Sequence, residues 1–192
     1  VPPGIESLLP ADAGLRLVLV ANIRPIKRIQ DAIHALARLR ESSPDCVLCI
    51  VGDGSQDELR ALCAGLGLSG HVRFLGPRTD VHALLPAFDV GLLCSESEGF
   101  SNTLIEYLQA GLAVVCSDVG GNPEIIEHGV TGLLYPAGDT EVLATNLRRL
   151  LADPAMREKL GQAGRECVRA RFSIAQMVER YQHIYTGITG VA

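Results

Sequence analysis

The order of apolar and amphipathic segments is the feature that most constrains the fold of this 192-residue chain. Short, nearly continuous apolar runs alternate with longer segments in which apolar residues recur at helical spacing. Apolar runs of this length predict strands buried on both faces, which are typical of parallel sheets. The predicted strands cover residues 15–23, 46–54, 72–76, 90–95, 113–119 and 132–136. The sequence therefore predicts an α/β fold: a doubly wound, mostly parallel, six-stranded Rossmann-like sheet with helices on both faces.

The predicted helices alternate with these strands. Their expected bounds are 28–41, 56–66, 81–88, 101–110, 123–128, 139–152 and 154–172, and a closing helix follows over 173–188. The helix over 81–88 is expected in spite of Pro86. Hydrophobic residues make up 47% and charged residues 20% of the chain, which is typical of a globular protein with a substantial core. We therefore expect a single domain over residues 1–192.

Composition and charge argue against several functions. The formal net charge of −5, the 4% aromatic content and the absence of tryptophan disfavour a nucleic-acid partner. No apolar run approaches the ~18 residues of a membrane span. The patterns of NAD-binding and P-loop folds are absent, and the histidines show no metal-ligand or catalytic spacing. The six cysteines lie mostly inside apolar runs, as reduced cytoplasmic thiols do, and we expect neither a metal nor another cofactor.

Polar and glycine-rich segments follow the predicted strands. Ligands of doubly wound sheets bind beyond the carboxyl ends of the strands, so these segments are expected to meet at one edge. They comprise 22–28, 52–54, 76–78, 95–103 and 117–122. Such loops also connect strands to helices for purely structural reasons, so their polar composition alone does not indicate a ligand site.

Two acids flank the start of the helix predicted over 101–110. Glu98 precedes the helix, where free amides such as those of Asn102 and Thr103 form a positive pole suited to phosphate. Glu106 shares a polar arc with Asn102 and Gln109. The pair could accept hydrogen bonds from sugar hydroxyls. Alternatively, Glu98 could simply stabilise the helix that it precedes, and Glu106 could be a solvated acid on the polar face of that helix.

Two further features of the loops have both a functional and a structural interpretation. Arg24, Lys27 and Arg28 bring three cations into five residues, which suits a diphosphate or a solvated helix entry. The segment VGGNPE predicts a glycine turn with Asn122 as N-cap and Pro123 at the first helical position. The glycines could also let the backbone approach a ligand.

Together these segments resemble the donor-binding half of retaining glycosyltransferases of family 4, which have the GT-B architecture of two facing Rossmann-like domains. The E-x7-E motif of that family matches Glu98 to Glu106 within SESEGFSNTLIEYLQAGLAVVCSDVGGNPEII. VPPGIE at residues 1–6 resembles the end of the family's interdomain linker. FSIAQMVERYQHIY at residues 172–185 resembles its closing helix. The resemblance covers nearly the whole chain.

The resemblance implies a role for each matching residue. Glu98 would contact hydroxyls of the donor sugar, and Glu106 would hold the ribose of the nucleotide. The amides of Asn102 and Thr103 would bind the diphosphate. Lys27 would neutralise the distal phosphate as the leaving group departs. Glu98 and Lys27 are thus the implied catalytic residues.

Three further residues complete the implied donor site. The loop at Arg78 would border the nucleotide base. The family usually has an arginine five residues before the lysine, and here that position is Asn22. Arg24 is the candidate for the missing cation, although it stands two residues further along.

The implied function is retaining transfer of a sugar from a UDP- or GDP-linked donor to a glycan or lipid-linked acceptor, in polysaccharide or other glycoconjugate biosynthesis. Residues 1–10 would be a linker remnant, and the closing helix would reach toward an N-terminal domain that holds the acceptor. This chain alone would then be inactive. We expect a cytoplasmic location, with the full protein at the inner face of the membrane. Two alternatives stay open: a stand-alone nucleotide-sugar-binding module and a GT-B sugar-nucleotide epimerase.

Overall fold

A six-stranded parallel sheet forms the centre of the molecule. The computed structural model describes residues 9, 14–40, 43, 45–172, 178 and 182–186. The strand order is β3-β2-β1-β4-β5-β6, so the chain reverses its direction of growth between β1 and β4. The strands are β1 (Arg16–Val20), β2 (Val47–Val51), β3 (Val72–Gly76), β4 (Val90–Leu93), β5 (Ala113–Ser117) and β6 (Leu133–Tyr135). The doubly wound, Rossmann-like prediction is confirmed.

Helices cover both faces of this sheet. They are α1 (Ile29–Arg40), α2 (Asp57–Gly65), α3 (Val81–Leu84), α4 (Asn102–Ala110), α5 (Asn122–Ile125), α6 (Thr140–Ala152) and α7 (Pro154–Arg171). Short 3₁₀ turns occupy Pro25–Lys27 and Leu85–Ala87. Within the described residues, no helix is long and apolar enough to cross a bilayer.

Alternation along each strand divides the core into two clusters. Leu17 and Leu19 of β1 pack on the face covered by α1 and α6, whereas Val18 packs on the face covered by α4. All three side chains are buried. Burying an aliphatic side chain of this size contributes about 1.5–3 kcal/mol. Both faces are therefore apolar, which is why the strands read as continuous apolar runs.

The elements differ from the predicted ones mainly at their ends. Several strands stop earlier than predicted because the following residues bond across loops, as the Ile23 amide does to the Asp53 carbonyl at 2.7 Å. The helix predicted over 81–88 is divided: α3 ends at Leu84, and Pro86, which lacks an N–H, lies in the 3₁₀ turn. The predicted N-cap role of Asn122 is wrong, because Gly121 occupies that position.

Two predicted segments lie almost entirely outside the described residues. Of the linker-like residues 1–10 only Leu9, which is buried, is described. Of the closing helix predicted over 173–188, only 178 and 182–186 are described, and they are helical. The expectations about a linker and about a contact with an N-terminal domain remain predictions.

Candidate functional site

A cavity of about 360 Å³ opens at the carboxyl ends of β1 and β2. We call it the strand-end cavity. Its lining comprises Val20, Ala21, Asn22, Arg24, Lys27, Val51, Gly52, Pro77, Arg78, Val81 and Thr103. Five residues predicted from the sequence thus line one cavity: Asn22, Arg24, Lys27, Arg78 and Thr103. One side is apolar and formed by β1, β2 and the start of α3, and the cations lie around the rest.

Lys27, which lines this cavity, forms an ion pair with Glu98, which lies just outside the lining. The distance between Lys27 Nζ and Glu98 Oε1 is 2.6 Å, and the two side chains are 25% and 13% exposed. The Ser95 hydroxyl donates to the same Oε1 at 2.6 Å. Within the described part of the chain, Glu98 Oε2 accepts no hydrogen bond. One carboxylate oxygen is therefore occupied, and the other can accept from a ligand.

The loop that carries Glu98 is held by backbone contacts on two sides. On the first side, the Glu96 amide donates to the Ile26 carbonyl at 2.8 Å, which joins this loop to the turn that carries Lys27. On the second side, Gly120 has a φ of +52°, and a Cβ there would lie 1.8 Å from the Glu98 carbonyl oxygen. The Gly121 amide donates to the Gly99 carbonyl at 3.0 Å. The glycine turn therefore supports the Glu98 loop directly.

Buried hydrogen bonds at the ends of β4 and β5 hold the start of the same loop. The Ser117 hydroxyl donates to the Ser95 carbonyl at 2.6 Å, and both serines are fully buried. Asn122 donates from Nδ2 to the Ser117 carbonyl at 2.9 Å. The Asn122 side chain thus holds the end of β5 rather than acting as a helix cap.

Helix α4 directs its amino end toward the cavity. Ser101 is its N-cap, and its hydroxyl accepts from the Leu104 amide at 3.4 Å. Asn102 is exposed and Thr103 is half-buried, and their amides have no acceptor within the helix. Thr103 lines the cavity. Glu106 is half-buried one turn further along α4. It does not line the strand-end cavity, and neither do Glu98 and Asn102.

The opposite end of α4 is neutralised by a distant arginine. Arg165 of α7 donates from Nε to the Gln109 carbonyl at 3.1 Å and from its guanidinium to the Ala110 carbonyl at 2.7 Å. A cation at a helix carboxyl end interacts favourably with the helix dipole. The carbonyl end of α4 is thereby paired, while its amide end stays open to the cavity.

Asn22 and Arg24 belong to the loop that follows β1. Asn22 Oδ1 accepts from the Asp53 amide at 3.3 Å, which binds this loop to the one after β2. Arg24 is exposed and also lines a second cavity of about 490 Å³ between α1 and α2. In the part of the chain that the structure describes, Arg24 has no ion pair. Its guanidinium can therefore take an anionic ligand.

The other two arginines of these loops are paired internally. Arg28 forks onto Asp31 at 2.7 and 3.2 Å, and this hydrogen bonding raises the pKa of Arg28. Arg28 has a left-handed φ of 45°, an uncommon conformation for a residue other than glycine. Arg78 forks onto Asp80 at 2.8 and 2.6 Å, which lowers the pKa of Asp80. The three-cation cluster predicted from the sequence is thus divided, since Arg28 faces Asp31.

Sequence reasoning missed one residue that contacts the strands of the site. Tyr107 is fully buried, and its hydroxyl accepts from the Val20 amide at 2.7 Å. The only sequence signal was its place directly after Glu106. No three His, Cys, Asp or Glu side chains among the described residues are placed to hold a metal ion.

This fold matches the Rossmann-like domain of GT-B glycosyltransferase structures. The chain belongs to the glycosyl transferases group 1 family, whose model matches residues 6–167. It is 36% identical over 170 residues to N-acetyl-alpha-D-glucosaminyl L-malate synthase of Bacillus anthracis, covering 88% of this chain and 44% of that protein. It is 34% identical over 171 residues to the putative glycosyltransferase EpsD of Bacillus subtilis, covering 88% and 45%.

Two solved structures of one protein resemble the chain over most of its length. The first is Anabaena Alr3699/HepE in complex with UDP, with a TM-score of 0.88 and 26% identity over 100% of this chain and 54% of that one. The second is the same protein in complex with UDP-glucose, with a TM-score of 0.85 and 28% identity over 94% and 50%. The chain spans about half the length of the curated relatives it matches.

Proposed function

We propose that this chain is the C-terminal, donor-binding domain of a retaining GT-B glycosyltransferase of family 4. The whole enzyme would transfer a sugar from a nucleoside diphosphate to a glycan or lipid-linked acceptor in polysaccharide or other glycoconjugate biosynthesis. The observation that carries the proposal is the meeting of Lys27, Arg24 and the amide end of α4 at one cavity of an otherwise acidic chain. Cations and helix amides together are suited to a diphosphate.

The site geometry suggests how the donor is arranged. The apolar side of the strand-end cavity, near Val81 and Arg78, accepts the base. The amides of Asn102 and Thr103 and the Lys27 ammonium bind the diphosphate. Glu106, a turn along α4, accepts from the ribose. The UDP and UDP-glucose complexes of the Anabaena protein support a uridine donor.

In the transfer step the bond between the sugar C1 and the distal phosphate oxygen breaks, and C1 forms a bond to the acceptor oxygen. The acceptor hydroxyl loses its proton to the departing phosphate or to solvent, and we assign no protein base to this transfer. Lys27 stabilises the charge that develops on the departing phosphate, and Glu98 holds the sugar through Oε2. These residues need no metal for this role. The acceptor would bind an N-terminal domain of a cytoplasmic protein that works at the inner face of the membrane.

Isothermal titration calorimetry of the 192-residue chain tests the proposal. The ligands are UDP, GDP, UDP-glucose, GDP-mannose and the nucleosides uridine and guanosine. We expect one diphosphate series to bind, more tightly than its nucleoside, and no transfer to oligosaccharide or lipid-linked acceptors by this chain alone. Absence of binding by every diphosphate would overturn the donor site, and turnover by the isolated chain would overturn the assignment as a half-enzyme.

A further inference from the structure

Tyr107 occupies an unusual place between the sheet and α4. Its side chain is fully buried, and its ring lies over Gly91 of β4. A Cβ at position 91 would be 2.4 Å from the ring, so the phenol takes the room that a side chain on β4 would need. An aromatic residue of α4 therefore reaches the backbone of the central strands.

The Tyr107 hydroxyl joins the ends of two strands. The pairing of β1 with β4 ends at the partners Leu19 and Leu92. At that end the hydroxyl accepts from the Val20 amide at 2.7 Å and donates to the Leu92 carbonyl at 3.3 Å. We call this arrangement the Tyr107 bridge. It lies where the strand order reverses, the position at which doubly wound sheets open a ligand crevice.

Each element joined by the Tyr107 bridge leads into the candidate site. Val20 itself lines the strand-end cavity, and the loop after it carries Lys27. The loop that follows β4, the strand of Leu92, carries Glu98. Tyr107 follows Glu106 on α4, whose first turn supplies Thr103. A single hydroxyl thus contacts the elements on which the cation, the acid and the helix amides depend.

We propose that Tyr107 is a positioning residue for the diphosphate part of the donor site: its hydroxyl sets the spacing between the loops of Lys27 and Glu98. Burial raises the pKa of the Tyr107 phenol, so the hydroxyl keeps the proton that it donates to Leu92. The bridge meets the base side of the cavity only through the Val20 backbone, whereas Pro77 and Arg78 of the loop after β3 and Val81 of α3 form no hydrogen bond with the Tyr107 hydroxyl. The loss of the hydroxyl should therefore act on the diphosphate more than on the nucleoside.

The test compares Tyr107→Phe with Tyr135→Phe in the 192-residue chain. Tyr135 is also a buried tyrosine, but its hydroxyl faces the Cys94 thiol and bonds to no backbone group of the described residues, which makes it a matched control. The ligand measurement rests on the proposed function, and it uses calorimetry with UDP and uridine. Amide hydrogen exchange of Val20, followed by NMR, needs no ligand.

Tyr107→Phe removes two neutral hydrogen bonds. We expect it to lower the affinity for UDP by about fivefold to tenfold, the equivalent of one such bond, and the affinity for uridine by no more than about twofold. The Val20 amide should exchange about tenfold faster, while Tyr135→Phe changes neither measurement. An equal loss for UDP and uridine, an unchanged UDP affinity or an unchanged Val20 amide would overturn the proposal.

Three outcomes are separated in advance. If the wild-type chain binds GDP instead of UDP, GDP and guanosine replace UDP and uridine in the comparison. If it binds no diphosphate, the proposed function fails, and the exchange of the Val20 amide in the two variants decides about Tyr107 alone. If Tyr107→Phe does not fold, the proposal is tested on the wild-type chain by following the Val20 amide with and without UDP. UDP should then shift the Val20 amide resonance and slow its exchange more than it does for Val114 of β5, and an unshifted Val20 overturns the proposal.

Discussion

The ion pair between Lys27 and Glu98 makes an unusual prediction for Glu98→Gln. In the proposed function Lys27 must contact a phosphate, yet its Nζ lies 2.6 Å from Glu98 Oε1. The carboxylate and the phosphate therefore compete for one ammonium group. Replacing the carboxylate with an amide of nearly the same shape should weaken this competition without removing Lys27.

The size of the effect follows from the contacts. A hydrogen bond to a charged group contributes about 1.5–3 kcal/mol, and one between a neutral acceptor and its donor contributes about 0.5–1.5 kcal/mol. Both side chains are mostly buried, so solvent screening removes only part of the difference. A remaining difference of about 1 kcal/mol predicts that UDP binds about fivefold more tightly to Glu98→Gln. UDP-glucose should not gain, because the variant also weakens the acceptor offered to the sugar hydroxyls.

The assay is calorimetry with UDP and UDP-glucose on the wild-type chain, Glu98→Gln and Glu96→Gln. Glu96 is an exposed acid of the same loop, and in the described structure it forms no ion pair with Lys27, so its variant controls for the loss of one negative charge. We expect the affinity for UDP-glucose relative to UDP to fall only in Glu98→Gln. Weaker binding of UDP by this variant would refute the reasoning, because it would mean that Glu98 orients Lys27 instead of competing for it.

Three further substitutions test other residues of the site, and thiol labelling tests the core. Lys27→Ala should lower the affinity for UDP by about tenfold to a hundredfold, the equivalent of a charge-assisted contact, and leave uridine within about twofold; equal losses would contradict the assignment. Arg24→Ala should also weaken UDP, measured in the same titrations, and an unchanged affinity would make Arg24 a surface residue. Glu106→Gln should weaken UDP with little change in melting temperature, whereas a large fall in melting temperature at constant affinity would favour a structural role. Burial raises the pKa of Cys49 to about 12, so its thiol stays protonated at pH 8. A thiol reagent should therefore modify the half-buried Cys167 of the native chain first. Rapid labelling of all six cysteines would contradict the burial of the other five in the core.

The fold was predictable because strands that are buried on both faces appear in the sequence as continuous apolar runs. Val18 and its neighbours Leu17 and Leu19 are all apolar, although they face different helices, and such runs separated by amphipathic segments define a doubly wound sheet. The ends of elements were less predictable. Backbone bonds such as that between Ile23 and Asp53 join residues far apart in the chain, and no local pattern announces them.

The candidate site was predictable as a set of loops but not as a set of contacts. Lys27 and Glu98 are separated by 71 positions, and only the strand order brings them together. The Arg28–Asp31 pair has helical spacing and could have been read from the sequence. Tyr107 could not have been found in this way, because its burial depends on the room above Gly91 on another strand.

The contact between the glycine turn and the Glu98 loop limits how this site can be redesigned. Any side chain at Gly120 or Gly121 would meet the carbonyl oxygens of Glu98 and Gly99, at 1.8 and 2.3 Å from the added Cβ. A mutant library aimed at a different sugar donor should therefore leave both glycines unchanged. Glu96 and Phe100 have exposed side chains in the same loop and do not line the strand-end cavity. Variation there leaves in place the backbone that holds Glu98, so a change of donor has to come from the residues that line the cavity.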